Sequence, residues 1–147
     1  MSCIIRTMVE GDRDCIRDMM RRFYASPAVS TDGSEEIFNH DIENCVGESP
    51  YLEGYVFEEN GILLGYGMVA KSFSTEFGRP CMWIEDIYLE PEYRGTGIGS
   101  KFFKYLEEKY PGVILRLEVD KDNTNALNFY KKCGYEQLPY LEMKKMI

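Results

Sequence analysis

Glu85 and Asp86 sit side by side inside an otherwise apolar run, Met82-Trp83-Ile84-Glu85-Asp86-Ile87-Tyr88-Leu89. A carboxylate among apolar side chains keeps its proton to higher pH, so it can accept one from a substrate near neutrality, directly or through water. The pleat of a strand predicts that the two point to opposite faces. Just beyond, Arg94-Gly95-Thr96-Gly97-Ile98-Gly99-Ser100 sets three glycines at alternate positions behind an arginine. Residues without side chains let backbone N–H groups converge, and a following helix adds partial positive charge. The stretch is therefore suited to hold an anion such as a phosphate.

The 147 residues carry a formal charge of −8, which argues against a nucleic-acid partner, since phosphate backbones select a basic face. The acid is unevenly spread. Between Phe23 and Ala70 there is no lysine or arginine, while Asp32, Glu35, Glu36, Asp41, Glu43, Glu48, Glu53, Glu58 and Glu59 all fall there. Such a run is either a solvated face or a surface that attracts a cation. The five cysteines are scattered without a C-x-x-C pair and His40 is the single histidine, so no metal site is expected and buried, reduced thiols are. No stretch approaches the ~20 apolar residues of a membrane span, and the first residues lack the basic start and long apolar run of a secretory signal. A soluble, cytoplasmic protein without membrane contact is expected, as one domain over residues 1–147.

The elements that must position these residues follow from periodicity. "CIIRTM" reads as a short buried strand, and Asp12 as the N-cap of a helix that buries Ile16, Met19, Met20 and Phe23. A second helix starts at Ser34, with Ile37, Phe38, Ile42, Cys45 and Val46 on its buried side. Asn60-Gly61, which accepts positive φ readily, joins two strands into a hairpin. A third long strand covers 79–91. Behind the glycines, Ile98, Phe102, Tyr105, Leu106 and Tyr110 recur at helical spacing until Pro111-Gly112. A strand over 112–120 leads to a helix capped by Asn123 and closed by Gly134, and the tail is expected to add one or two final strands.

Register decides what the glycines can hold. A nucleoside-triphosphate loop needs G-x-x-x-x-G-K-[ST], but Gly99 is followed by Ser100 and then Lys101; a dinucleotide fingerprint needs G-x-G-x-x-G, but Gly95, Gly97 and Gly99 give G-x-G-x-G. What remains, R-G-x-G-I-G between a strand and a helix, resembles the acyl-CoA pyrophosphate loop of the GCN5-related N-acetyltransferase (GNAT) family. The preceding strand "WIEDIYLEPEYRG" resembles the family's long central strand. The helix "NTNALNFYKKCGY" resembles its N-x-x-A-x-x-x-Y-x-x-x-G-[FY] signature, and the order of elements agrees over essentially the whole chain. The resemblance implies an α/β (α+β) single-domain acyl-CoA N-acyltransferase fold. Its central sheet would be twisted, mixed and mostly antiparallel, flanked by about four helices and splayed to admit CoA.

The chemistry it implies is transfer of an acetyl group from acetyl-CoA, the cosubstrate, to a primary amine that attacks the thioester directly. An amine of pKa ~10.4 is almost wholly protonated at neutral pH, and an ammonium has no lone pair, so a base is needed. The departing thiolate gains from an acid, and the thioester oxygen from a hydrogen-bond donor. By resemblance, Tyr130 faces the CoA sulfur and is that acid. Glu85 resembles the glutamate that, in the diamine and polyamine branch, helps deprotonate the amine; ordering the amine is the alternative role. Ile87, Tyr88 and Leu89 would bind the pantetheine arm through backbone groups. Arg94, Gly95, Thr96, Gly97, Ile98, Gly99 and Ser100 would cradle the pyrophosphate. Asn123 and Asn128 occupy positions that touch the CoA arm, Asn123 being equally a helix cap. The family's first two helices wall the acceptor side, where Tyr24, Tyr51, Glu53 and Asp86 are candidates for binding the acceptor beside Glu85. That acceptor would be a small cationic metabolite of polyamine, diamine or amino acid type. A protein or peptide amine, or a non-catalytic acyl-CoA sensor, are the other readings, and the tyrosine- and methionine-rich C-terminus is compatible with a homodimer.

Overall fold

The computed structural model describes residues 2–147. Five strands form one sheet in chain order: β1 (Ile4–Thr7), β2 (Leu52–Glu59), β3 (Ile62–Ser74), β4 (Arg79–Leu89) and β5 (Ile114–Leu117). β4 and β5 run parallel and the other neighbours antiparallel, so the sheet is mixed and mostly antiparallel, as expected. Asn60 and Gly61 turn the β2–β3 hairpin with φ of 52° and 78°, the left-handed pair that fits the twist of the flanking strands.

Strand alternation sorts the core into two layers. Tyr55 and Phe57 join Phe102 and Leu106 of α3 (Ile98–Lys109), with Phe129 and Tyr130 of α4 (Thr124–Lys132) packed alongside. Val56, between them, points the other way, to Ile16, Met19 and Met20 of α1 (Arg13–Tyr24) and Phe38 and Ile42 of α2 (Glu35–Val46). Each side chain of these that is fully buried, as Val56, Ile16 and Phe102 are, contributes roughly 1.5–3 kcal/mol by leaving water.

The alternation breaks twice: in β3, where Phe57 and Glu58 of β2 face Gly65 and Leu63 and leave Leu64 without a partner, and in β4. Met68 and Val69 of β3 face Asp86 and Ile84, so Glu85 has no partner and forms a bulge. Before it, Met82 and Ile84 face α3; after it, Ile87 and Leu89 face α3 while Tyr88 faces α1 and α2. The expectation from the pleat is thereby corrected: one extra residue resets the parity, and Glu85 and Asp86 come to the same face. Near the same point the sheet opens. β5 pairs with β4 only over Cys81–Ile84, and the β5-side edge of β4 from Glu85 onward meets no strand among the described residues.

Five other expectations change. β1 is an edge strand with Ile4 59% exposed, because it pairs on one side alone. Asp12 does not cap α1. Its carboxylate accepts from Arg6 Nη1 and Nη2 at 2.8 and 2.9 Å and from the Val9 N–H at 2.9 Å, and Arg6 holds it below the usual carboxylate range. Ser34 does cap α2, accepting from Ile37 N–H at 3.2 Å, yet the Ile37 side chain is exposed and so is Cys15. No strand follows β5 among the described residues. Leu141 and Met143 alternate with Glu142 and Lys144 as strand residues do, but they lie exposed and pair with no ladder; Tyr140 Oη instead donates to Glu76 Oε2 at 2.5 Å.

Candidate active site

Tyr24 at the end of α1, Asp41 of α2, Leu52 of β2, Met68 of β3 and the bulge pair Glu85 and Asp86 line one cavity of about 160 Å³. Asp86 is its buried wall, 5% exposed. Its carboxylate accepts from Tyr66 Oη at 2.8 Å and from Tyr24 Oη at 3.0 Å. Burial pushes Asp86 up to about 6, with the two hydroxyls acting in the opposite sense and the Asp41 charge adding to the rise. Burial and then the Glu85 charge push Asp41 up to about 6 as well. Glu85, more exposed, is raised first by partial burial, then by Asp86 and by Glu142 of the tail. Burial beside Asp86 raises both phenols, so Tyr24 and Tyr66 stay protonated donors. Among the described residues, no lysine or arginine lines the cavity. Three carboxylates, each reluctant to ionise, thus surround a space whose preferred occupant carries positive charge.

The other half of the site lies along the opened edge. Gly95 and Gly97 take φ of 75° and 88°, where a side chain is strained, and Gly97 is the N-cap of α3. The N–H groups of the first α3 turn, Ile98, Gly99 and Ser100, have no acceptor within the helix. Gly99 serves a different end: a Cβ there would lie 2.9 Å from Phe129 Cζ, so its missing side chain admits α4. Arg94 donates from Nε to Leu89 O at 3.0 Å, and its guanidinium lies 5.5 Å from the centre of the Tyr88 ring, fastening the loop to the end of β4. Thr96 Oγ1 donates to Tyr93 O at 2.5 Å. Unpaired amides at a helix N-terminus beside an unpaired strand edge fit a ligand with a phosphate end and an amide-bearing arm, which is the chemistry of CoA.

Asn123 Oδ1 accepts from Ala126 N–H at 3.2 Å and caps α4, and Asn128 is exposed on that helix. Tyr130 is half-buried against Phe103 and Tyr135, with ring centres 6.1 and 5.9 Å away, and burial raises its phenol. Tyr51 and Glu53 are not brought to the cavity. Tyr51 is 70% exposed and lines a separate depression with Glu43 and Ser49. Glu53 shares the parity of Tyr55, which turns it to the α3 face, where Tyr55 Oη and Tyr110 Oη donate to it at 2.6 and 2.5 Å. Sequence reading missed Asp41, Leu52, Met68 and Tyr66. Asp41 had left a signal, since it falls within the stripe Phe38, Ile42, Cys45, as an acid on the apolar side of a helix.

The model of the Acetyltransferase (GNAT) family matches residues 15–135. Thialysine N-epsilon-acetyltransferase of Bos taurus is 35% identical, across 95% of this chain and 87% of its own. Of solved structures, a possible acetyltransferase from Clostridium difficile 630 superposes with a TM-score of 0.84 at 19% identity, covering 99% of this chain and 97% of that one. AAC(6')-Iy, in complex with the bisubstrate analogue CoA-S-monomethyl-acetylneamine, gives 0.81 at 13% identity over 100% and 99%. At those identities the two structures establish the fold, and the family match with the relative's extent of identity establishes the rest: this chain belongs to the GNAT family and is an acetyl-CoA-dependent N-acetyltransferase.

Proposed function

We propose that the acceptor is the primary amine of a small cationic metabolite. The observation that carries this reading is the acid-lined cavity. Its three carboxylates favour a cation, and its volume of about 160 Å³ is below the ~300 Å³ at which drug-sized ligand pockets begin, which favours a slender amine over a peptide segment. No helix of the described residues is long and apolar enough to cross a membrane. A cytoplasmic homodimer is part of the same reading, and the exposed Leu141 and Met143 of the tail support the dimer.

Acetyl-CoA supplies the activated acyl carbon when bound. Glu85, on the bulge, takes the proton of the acceptor ammonium, directly or through water, and so frees the nitrogen lone pair; the C–N bond forms as the C–S bond breaks. Tyr130 gives its phenolic proton to the departing sulfur, and its phenolate takes up the second proton that the nitrogen sheds as the neutral amide forms. The backbone of Ile87, Tyr88 and Leu89 holds the pantetheine arm and offers an N–H to the thioester oxygen. Arg94 to Ser100 hold the pyrophosphate, with Ile98 and Gly99 acting through backbone N–H alone, and Asn123 and Asn128 flank the arm.

The test is release of the CoA thiol from acetyl-CoA with small aliphatic amines, the N-acetylated product being identified by mass spectrometry. Turnover is expected. Binding of acetyl-CoA without turnover on any amine would overturn the reading. Tyr130→Phe should lower kcat by about 10²-fold with little change in the KM for acetyl-CoA; an unchanged kcat removes Tyr130 from the mechanism.

A further inference from the structure

We propose that Tyr66 is a positioning residue for acetyl transfer, acting on Glu85 through Asp86: its hydroxyl holds Asp86 in the charged form, and that charge makes Glu85 the stronger base. This rests on the reading of Glu85 as the base and adds to it a residue that does not line the cavity.

Tyr66 lies in β3, opposite Tyr88 of β4, with ring centres 6.1 Å apart, and it is fully buried. A phenylalanine would fill that space equally well, so the hydroxyl calls for a reason of its own. It donates to Asp86 Oδ2 at 2.8 Å, while Tyr24 Oη donates to Oδ1 at 3.0 Å. The two donors differ in setting. Tyr24 lines the cavity at the end of α1, where an acceptor can compete for its hydroxyl; Tyr66 is enclosed in the sheet, away from that competition. Burial disfavours charge on Asp86, and so does Asp41 of α2; Cys45, also of α2, is a thiol that burial pushes up to about 12, so it brings no charge. Among the described residues no lysine or arginine lines the cavity, and the hydrogen bonds from the two phenols are what favours the ionised carboxylate. Glu85 is next to it along β4. It faces Asp86, Asp41, Tyr24 and, from the tail, Glu142, with Glu118 beyond the end of β5, and none of these is a cation. The like charge on Asp86 raises Glu85, which strengthens it as a base. Without the Tyr66 hydroxyl, Asp86 keeps its proton to higher pH and Glu85 loses the charge beside it. Glu85 then ionises at lower pH and takes the ammonium proton less readily.

The experiment is the pH dependence of kcat/KM for 1,4-diaminobutane, by CoA thiol release, in the native chain and in Tyr66→Phe, Asp86→Asn and the double variant. In the native chain kcat/KM should rise with pH as Glu85 ionises. Tyr66→Phe should move the midpoint of that rise about half a pH unit lower and cut kcat on the plateau about two- to threefold, with the KM for acetyl-CoA unchanged. Asp86→Asn, uncharged at every pH, should move the midpoint at least as far, and adding Tyr66→Phe to it should move it no further. A purely structural role would lower the melting temperature and the activity at every pH but leave the midpoint in place. A midpoint unmoved in either single variant, or a further shift in the double variant, overturns this inference alone. A rise that persists intact in Glu85→Gln overturns the reading of Glu85 as the base and this inference with it.

Discussion

Glu85 and Asp86 are adjacent in sequence yet sit in different surroundings. Asp86 is enclosed and held by two phenols, whereas Glu85 is more exposed on the bulge. If Glu85 is the base, Glu85→Gln should flatten the rise of kcat/KM on the alkaline side that the native enzyme shows; a rise that persists intact would move the base elsewhere. The two aspartates make a separate pH prediction. Both are near 6 in the folded state against 3.8 for the free side chain. The folded chain therefore binds more protons than the unfolded one between those values, and stability falls as pH rises through that window. Asp41→Asn should remove part of that loss, raising the melting temperature at pH 8 by a few degrees, from about 1–2 kcal/mol, with little effect near pH 4. A lower melting temperature at pH 8 would mean that Asp41 holds the fold together. The sequence showed a carboxylate pair in an apolar strand and a tyrosine in a signature helix, but it could not show Tyr66 donating to Asp86, because that contact joins side chains across two strands.

At the scale of elements, what was legible was local. The Asn60-Gly61 turn, the Ser34 cap, the Asn123 cap and the loop between β4 and α3 each depend on residues within a few positions of one another. What was illegible depends on pairing. The bulge at Glu85 carries no glycine to announce it and exists because β3 and β4 slip by one residue there. The tail has the alternation of a strand without a ladder to join, and Gly99 owes its absent side chain to Phe129, a residue of a different helix. Gly97 and Gly99 should accordingly respond differently. Gly97→Ala forces a left-handed residue, at about 1–2 kcal/mol, and should raise the KM for acetyl-CoA. Gly99→Ala should act mainly on stability, lowering the melting temperature as α4 is pushed away from α3. If Gly99→Ala weakened acetyl-CoA binding more than Gly97→Ala while leaving melting unchanged, that division would be wrong.

At the scale of the molecule, the acidic segment turns out to be mostly ordinary surface. Glu35 pairs with Arg21, Glu58 with Arg6, and Glu53 with two tyrosines on the opposite face of the sheet, so of the nine acids between Phe23 and Ala70 only Asp41 lines the cavity. The sheet is what gives the enzyme its two-sided plan. One face, under α1 and α2, carries the acid-lined cavity, and the edge opened between β4 and β5 leads to the glycine loop and α4. The bulge lies close to where the two meet, which puts the Glu85 carboxylate between the cavity and the opened edge. The measurement that bears most directly on this account is kcat/KM, by CoA thiol release, for short aliphatic cationic amines against lysine-bearing and N-terminal peptides. The account predicts at least a tenfold advantage for the small cations. Equal or better turnover of the peptides would contradict it.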